Sequence, residues 1–363
     1  MSGRAPDVVI VGGGVIGCAL AWELARRGAG VTVVEREVPG RAATWAAGGM
    51  LAPVAEAEQP GPFLRLALAS LHAWPAFVEA AREASGVPIE YRATGKLCVA
   101  LDDEQAAALE AAYRWQRAGG HAVDWLDGNQ ARALEPALSP AVRAGALVAQ
   151  DHWVDNRALA RALWVAATRA GATVRTGIAA VALRSGRASG GSMAVEGVAL
   201  DDGETIDAGA VVIAAGCWSG ALAGLPRSLP VAPVRGQMVA VRTVPPVLRR
   251  TVMAGHTYLI PRADGRITIG STAERAGFRA HVTPAGIASL LTAAMRVAPA
   301  LADAPLVSTW AGLRPGTPDG CPILGADPDV EGLFYATGHF RNGILLAPIT
   351  ATLLAEAVSG EPT

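Results

Sequence analysis

The start of the chain constrains its fold more than any other feature. Residues 8–11 (VVIV) have the β-branched content of a parallel strand that is buried on both faces. The next residues, 12–17 (GGGVIG), satisfy G-x-G-x-x-G, and residues 15–27 carry apolar side chains at helical spacing. A second apolar run, 31–34, ends at Glu35. This order of strand, turn, helix, strand and acid predicts a Rossmann-like unit that binds a dinucleotide.

Each residue type in this unit has a physical role. Gly12 permits the tight turn, Gly14 lets a pyrophosphate approach the backbone, and Gly17 lets the helix pack close to the sheet. The pyrophosphate would lie at the positive end of the helix, with Val15 and Ile16 at the turn. Glu35 can accept hydrogen bonds from an adenosine ribose and would repel a 2′-phosphate, which disfavours NADP. NAD and FAD share the same ADP half, so this unit alone leaves both open.

Two later segments favour the longer cofactor. A buried strand is predicted over 210–214, followed by a small-residue turn that starts at Gly216. Near the C-terminus, a strand over 332–337 leads into 338–343 (GHFRNG) and a predicted helix from about Ile344 to Val358. A glycine-flanked helix start is a second anion site. A chain with such a site near each end suits a long cofactor such as FAD, which can contact both sites, better than NAD.

Composition excludes several classes of protein. The 363 residues are 51% hydrophobic and carry a net charge of -1, so a large core is expected and nucleic acid is not an expected partner. The four cysteines are far apart, which indicates neither a zinc site nor a disulfide framework and favours the cytoplasm. No signal peptide or transmembrane segment is predicted. The charge-free residues 208–226 are interpreted as a strand, a turn and a short helix.

Several motifs together resemble one family. They are VVIVGGGVIG at the start, AAGGML, VVIAAGCWS, PVRGQ, YLIPR, AGLRPGTPDGCPILG and GHFRNGILLAP. The pattern is similar to that of the D-amino acid oxidase superfamily of FAD enzymes, and within it to the glycine oxidases of thiamine biosynthesis. The motifs run from Asp7 to about Pro348, so the resemblance covers nearly the whole chain.

The resemblance implies an α/β fold with two interleaved domains. One is a Rossmann-like, glutathione-reductase-like FAD-binding domain, expected over residues 1–88, 145–226 and 315–363. The other is an α+β substrate-binding domain built on an antiparallel sheet, expected over 89–144 and 227–314.

The resemblance also implies noncovalent FAD and a set of cofactor-binding residues. Ala180 is matched as an adenine contact, and residues 339–345 as a segment whose helix start faces the flavin. The predicted cofactor-binding residues are Gly12, Gly14, Val15, Ile16, Gly17, Glu35, Arg36, Ala43, Thr44, Gly48, Gly49, Met50, Ala180, Gly338, His339, Phe340, Arg341, Asn342, Gly343, Ile344 and Leu345.

The implied activity is oxidation of glycine or a similar small amine such as sarcosine or a small D-amino acid. Arg314 matches the arginine that binds the substrate carboxylate, Tyr258 a hydroxyl donor, and Arg341 a second substrate contact. The flavin takes a hydride, so no acid–base residue and no metal are expected. O2 is the expected acceptor, thiamine biosynthesis the expected pathway, and a homo-oligomer is possible. Pocket size is expected to depend on residues 52–61, Met253 and Thr272.

Departures from related enzymes leave alternatives open. The related sarcosine oxidases hold flavin through a cysteine, whose aligned position here is Gly312. They also use a lysine to activate oxygen, but Lys96 is the only lysine of this chain and none occurs around Ser271 and Thr272. A D-amino acid dehydrogenase with a non-oxygen acceptor therefore remains an alternative, as does a non-catalytic flavoprotein assembly factor.

Overall fold

The helices and strands follow the apolar patterns of the sequence. The computed structural model describes residues 6–188 and 190–360. Three helices begin at an aspartate, at Asp102, Asp127 and Asp155, whose carboxylates accept backbone N–H groups of the first turn.

The helices are α1 (Val15–Arg26), α2 (Ala43–Ala46), α3 (Pro62–Ser85), α4 (Asp103–Ala118), α5 (Gly128–Leu134), α6 (Asn156–Arg169), α7 (Pro284–Val297) and α8 (Ala347–Ser359), with short 3-10 helices at Gly216–Ala221 and Pro299–Asp303. The strands are β1 (Val8–Val11), β2 (Val31–Glu35), β3 (Met50–Leu51), β4 (Tyr91–Arg92), β5 (Lys96–Ala100), β6 (Val123–Asp127), β7 (Ala144–Val148), β8 (His152–Val154), β9 (Thr173–Thr176), β10 (Ala180–Arg187), β11 (Met193–Leu200), β12 (Thr205–Asp207), β13 (Ala210–Ile213), β14 (Ala232–Arg242), β15 (Thr251–Ala254), β16 (Thr257–Pro261), β17 (Arg266–Gly270), β18 (Leu306–Gly316), β19 (Ile323–Ala326), β20 (Val330–Glu331) and β21 (Leu333–Thr337).

A six-stranded sheet forms the centre of the first unit, with strands from both ends of the chain in the order β19-β21-β13-β1-β2-β9. All its pairings are parallel except β19 with β21. Val8 and Ile10 of β1 pack in one hydrophobic cluster, and Val9 and Val11 in another. Successive side chains of a strand point to opposite faces, so the run of four apolar residues is buried from both sides.

Two different layers cover this sheet. Helices α1, α3, α6 and α8 pack against each other and supply the cluster that contains Ile10. A small sheet of β10, β11, β12 and β20 covers the opposite face. The result is a three-layer unit whose five parallel strands all end at the same edge of the sheet.

An eight-stranded sheet forms the second unit, in the order β18-β14-β17-β16-β15-β5-β7-β6. Its pairings are antiparallel apart from β15 with β5. One face buries an aliphatic cluster with α7, including Leu290 and Ala294. The other face buries Met238, Tyr258 and Ile260 beside residues of the 43–50 segment. The second sheet thus packs directly against the first unit.

The predicted fold class is confirmed, since an α/β unit with a parallel sheet is combined with a largely antiparallel second sheet. The strand and short helix expected in 208–226 are confirmed as β13 and the 3-10 helix. The helix predicted from Ile344 begins instead at Ala347, because residues 342–346 form successive turns. In the part of the chain that the structure describes, no helix is long and apolar enough to cross a membrane. The domain boundaries stay a prediction. Strand β7, which begins at the predicted boundary between residues 144 and 145, pairs within the eight-stranded sheet.

Candidate active site

A cavity of about 410 Å³ lies between the two large sheets. Its walls include the residues that follow β1, β2, β13 and β21, that is, the carboxyl ends of four parallel strands. Ligands of open α/β sheets bind at this edge. The predicted site residues that line the cavity are Gly12, Gly14, Val15, Ile16, Glu35, Arg36, Ala43, Thr44, Gly48, Gly49, Met50, Ala180, Tyr258, Arg314, His339, Phe340, Arg341, Asn342, Gly343 and Ile344.

The glycines at the start of α1 allow close contacts between backbone segments. Gly12 has a φ of +110°, and a Cβ there would collide with the Ala214 carbonyl. A Cβ at Gly17 would overlap the Gly12 carbonyl, so Gly17 serves helix packing and lies behind the cavity wall. The Thr44 hydroxyl accepts the Val15 N–H at 3.0 Å, and Glu35 accepts the Gly13 N–H at 2.7 Å. The turn is therefore held open toward the cavity.

The small-residue segment 43–50 lies along the cavity as the short helix α2 followed by an extended turn. A Cβ at Gly48 would lie 3.1 Å from the Tyr258 ring, so the loop packs closely on β16. Three side chains donate hydrogen bonds to backbone carbonyl groups of this segment. Asn156 donates to the Thr44 carbonyl, Trp310 to the Ala46 carbonyl and Arg262 to the Gly48 carbonyl, at 2.7, 3.0 and 2.7 Å. These donors fix the segment on the side away from the cavity.

One end of the cavity is built around Arg36. Its guanidinium lies 3.6 Å from the centre of the Trp218 ring, and both residues line the cavity beside Ala180. A flat cation stacked on an aromatic ring makes a rigid planar wall. Trp218 and its neighbour Cys217 belong to the VVIAAGCWS motif but are not among the predicted site residues. Burial raises the pKa of the Cys217 thiol to about 12, so it is neutral at pH 7.

The segment after β21 closes the wall between the two sheets. Phe340 has a φ of 48° and donates its N–H to the Pro315 carbonyl at 3.0 Å. His339 is buried, shares a hydrogen bond with the Thr350 hydroxyl, and has a pKa lowered by burial to about 3. It is therefore a neutral ring that is hydrogen-bonded within the fold. Gly338 and Leu345 do not line the cavity.

Arg314 projects from β18 into the opposite end of the cavity. Its guanidinium donates to the Ser271 hydroxyl at 2.6 Å and to the Thr272 carbonyl at 3.2 Å. It lies over Gly236 of the neighbouring strand, where a Cβ would overlap the guanidinium group. Burial lowers the pKa of Arg314, which is partly offset by Tyr258. Arginine still stays charged at neutral pH, so the cavity holds a desolvated cation.

Arg341 lies near this end and is paired. Its Nη2 lies 3.2 Å from Oε2 of Glu56, and Lys96 Nζ lies 3.3 Å from Oε1 of the same carboxylate. Burial disfavours ionisation of Glu56, but the two cations outweigh it and lower its pKa. Glu56 lines the cavity and was not predicted, although it belongs to the 52–61 loop expected to set pocket size. Met253 and Thr272 do not line it.

The residues fit a long dinucleotide. Glycines and alanines leave one side of the cavity open along the starts of α1 and α2, where side chains would fill it. The cation of Arg314 suits a small carboxylate at the other end. The carboxylates of Glu35 and Glu56 and the ring of His339 on the walls are hydrogen-bonded or ion-paired. The site can therefore bind and orient an amino acid beside a cofactor, but it offers no free general base among the described residues.

Comparison with known proteins agrees with this fold and geometry. The chain belongs to the family of FAD dependent oxidoreductases, which it matches over residues 7–357. It is 39% identical to the glycine oxidase of Geobacillus kaustophilus, over 98% of this chain and 94% of that protein. It is 40% identical to the bifunctional protein ThiO/ThiG of Synechocystis sp., over 97% of this chain and 51% of that protein. The crystal structure of the Geobacillus kaustophilus enzyme matches with a TM-score of 0.93 and 38% identity, covering 99% of this chain and 95% of that one.

Proposed function

We propose that this FAD-dependent oxidoreductase oxidises glycine or a similarly small amine. The products are glyoxylate and ammonia, formed when water hydrolyses the imine, and O2 is reduced to H2O2. The observation that carries the proposal is the partly buried Arg314, which has no carboxylate partner among the described residues, at the end of a cavity lined by dinucleotide-binding turns. The glycine oxidase relatives support the same substrate class.

The chain's own residues bind and orient the substrate. Arg314 binds the carboxylate as a bidentate partner, and the Tyr258 hydroxyl, now 3.3 Å from the Met238 sulfur, can turn to donate to the same group. These contacts direct the α-carbon toward the 43–50 segment. Bound FAD supplies the acceptor for the hydride that leaves this carbon. No side chain has to remove a proton when the amine arrives neutral, because the hydride leaves the α-carbon directly.

FAD is proposed to lie along the cavity, held by the predicted cofactor-binding residues that line it. Its ADP half would lie at α1, Glu35 and Arg36, and its flavin between the 43–50 segment and the 339–344 segment. A cysteine at position 312 would overlap Ala46, which agrees with noncovalent binding. The ThiO/ThiG relative supports a role in thiamine biosynthesis.

The test is anaerobic mixing of the flavin-loaded protein with glycine, followed by re-aeration. We expect loss of the oxidised flavin absorbance on mixing, and one H2O2 and one glyoxylate per flavin cycle in air. An unchanged spectrum with glycine, sarcosine and small D-amino acids contradicts the proposal. Bleaching without H2O2 on re-aeration supports the dehydrogenase alternative instead, which agrees with the absence of a lysine around Ser271 and Thr272 in the sequence.

A further inference from the structure

The two arginines near the substrate end of the cavity differ in their charge partners. Among the described residues, Arg314 has no carboxylate within ion-pair distance, and its guanidinium bonds to a hydroxyl and a carbonyl. Arg341 is paired with the Glu56 carboxylate at 3.2 Å. A substrate anion therefore meets one free cation and one neutralised cation.

The position of the Glu56 carboxylate is fixed by two cations and by its own loop. The Lys96 ammonium, only 2% exposed, lies 3.3 Å from Oε1, while Arg341 occupies Oε2. The backbone next to Glu56 is also fixed, because Gln116 donates to the Val54 carbonyl at 3.0 Å and the Ala55 N–H donates to Asp151 at 3.2 Å. A carboxylate with both oxygens occupied and its loop anchored does not swing away when a ligand enters.

We propose that Glu56, fixed by Lys96, neutralises Arg341 and thereby restricts the amine substrate to one anionic group. This inference rests on the proposed function and specifies its substrate class. A single carboxylate binds at Arg314 with full compensation. A second anionic group carried on the amine nitrogen would approach Arg341 and meet the Glu56 carboxylate, and like charges at short range in a partly buried site repel. Glu56 is thus a specificity-determining residue, and Lys96 positions it.

The experiment compares the wild type with Glu56→Gln, which keeps the shape and removes the charge. Glycine and iminodiacetate, an N-substituted glycine with a second carboxylate, are the substrates. We expect the ratio of kcat/KM for iminodiacetate to that for glycine to rise at least about tenfold in Glu56→Gln, through a lower KM for iminodiacetate. The matched control is Glu58→Gln, an exposed glutamate of the same loop, which should leave the ratio unchanged.

Two further variants keep the test decisive. Glu56→Ala should change the ratio in the same direction if the glutamine variant folds poorly. Adding Arg341→Gln to Glu56→Gln should abolish the gain, because the second carboxylate loses its cation. An unchanged ratio in both Glu56 variants, or a KM for glycine that rises as much as the KM for iminodiacetate falls, overturns the inference; the latter would mean that Glu56 contacts the amine itself.

Binding measurements separate this inference from the proposed function. Calorimetric titration with acetate and malonate needs no turnover. We expect Glu56→Gln to bind malonate at least about tenfold more tightly than the wild type does, with a smaller change for acetate. If the wild type fails to oxidise glycine but the malonate result holds, the proposed function is wrong and the charge assignment stands. Equal changes for both anions overturn the assignment.

Discussion

At the scale of single residues, the position of Arg314 depends on the absence of a side chain at Gly236. Arg314 reaches the cavity because position 236 has no Cβ, and β14 and β18 place these two positions on neighbouring strands. The guanidinium then bonds to Ser271 and Thr272 and remains uncompensated by a carboxylate among the described residues. A glycine and an arginine from distant parts of the sequence therefore form one functional unit.

Replacing Arg314 with Met should greatly weaken the binding of the substrate carboxylate. A bidentate, charge-assisted contact contributes about 3 kcal/mol, so kcat/KM for glycine should fall by about 100-fold or more, mainly through KM. Steady-state kinetics at matched flavin content measure the effect. Arg65→Met, an exposed arginine of α3, is the control and should behave as the wild type. An unchanged KM in Arg314→Met would show that the carboxylate binds elsewhere.

Gly236→Ala should reproduce part of this loss without touching the arginine. The added methyl group overlaps the guanidinium and displaces it from Ser271, so we expect kcat/KM for glycine to fall about tenfold or more with FAD content unchanged. Gly61→Ala is the matched control, since no atom lies within 4 Å of a Cβ there. Wild-type kinetics in Gly236→Ala would refute the close packing.

Asp151 should make the stability of the protein depend on pH. Burial raises its pKa to about 7, although the Lys96 ammonium opposes the shift. The folded state then holds a proton that the unfolded state releases above pH 4, so this group makes the free energy of unfolding fall as pH rises from about 4 to 7, by at most about 1.4 kcal/mol per unit. Urea unfolding of wild type and Asp151→Asn across this range measures it. Parallel curves for the two proteins would contradict the expectation.

At the scale of elements, α3 supports the cavity wall from outside the site. The Ser70 hydroxyl and the Trp74 indole N–H both donate to the Leu345 carbonyl, at 2.6 and 2.9 Å. This carbonyl lies in the turns between Gly343 and α8, where no regular helical partner is available. Helix α3 therefore also fixes the turns that precede α8, a role that the spacing of its apolar residues does not reveal.

Removing both donors should cost more than the two single changes together. Ser70→Ala and Trp74→Phe each leave one hydrogen bond to the Leu345 carbonyl, whereas the double variant leaves that buried oxygen unsatisfied, at an extra cost of about 1–3 kcal/mol. Unfolding free energies in a double-mutant cycle measure this coupling. Ser85→Ala, at the far end of the same helix, serves as a control and should show no coupling to Trp74. Strict additivity of the Ser70 and Trp74 changes would exclude a shared role.

At the scale of the whole molecule, the cavity joins the two large sheets. Strand ends of the six-stranded sheet form one wall, and residues of β14, β16 and β18 form the other. A ligand that spans such a cavity contacts both units and binds only the folded state. Its binding free energy therefore adds to the stability of both.

Removal of FAD should destabilise the entire chain in a single transition. At a free concentration 100 times its Kd, FAD should add about 2.7 kcal/mol to the free energy of unfolding, and the Tm of the protein stripped of FAD should fall accordingly. Differential scanning calorimetry with and without FAD measures this. ADP, which supplies only the nucleotide half, should restore less of the Tm than FAD does. Full recovery with ADP would mean that the flavin end contributes nothing to binding.

The sequence by itself determined the dinucleotide-binding unit, because its strand, turn, helix and acid are consecutive and their spacing reflects local backbone geometry. It also predicted the fold class and the approximate bounds of several helices and strands, and most of the predicted site residues line the cavity. The tertiary structure alone decided where α8 begins, why position 236 is glycine, and that Glu56 pairs with both Lys96 and Arg341. These features depend on contacts between residues that are far apart in the chain. Neither hydrophobic periodicity nor a local motif specifies how close two distant segments lie after folding.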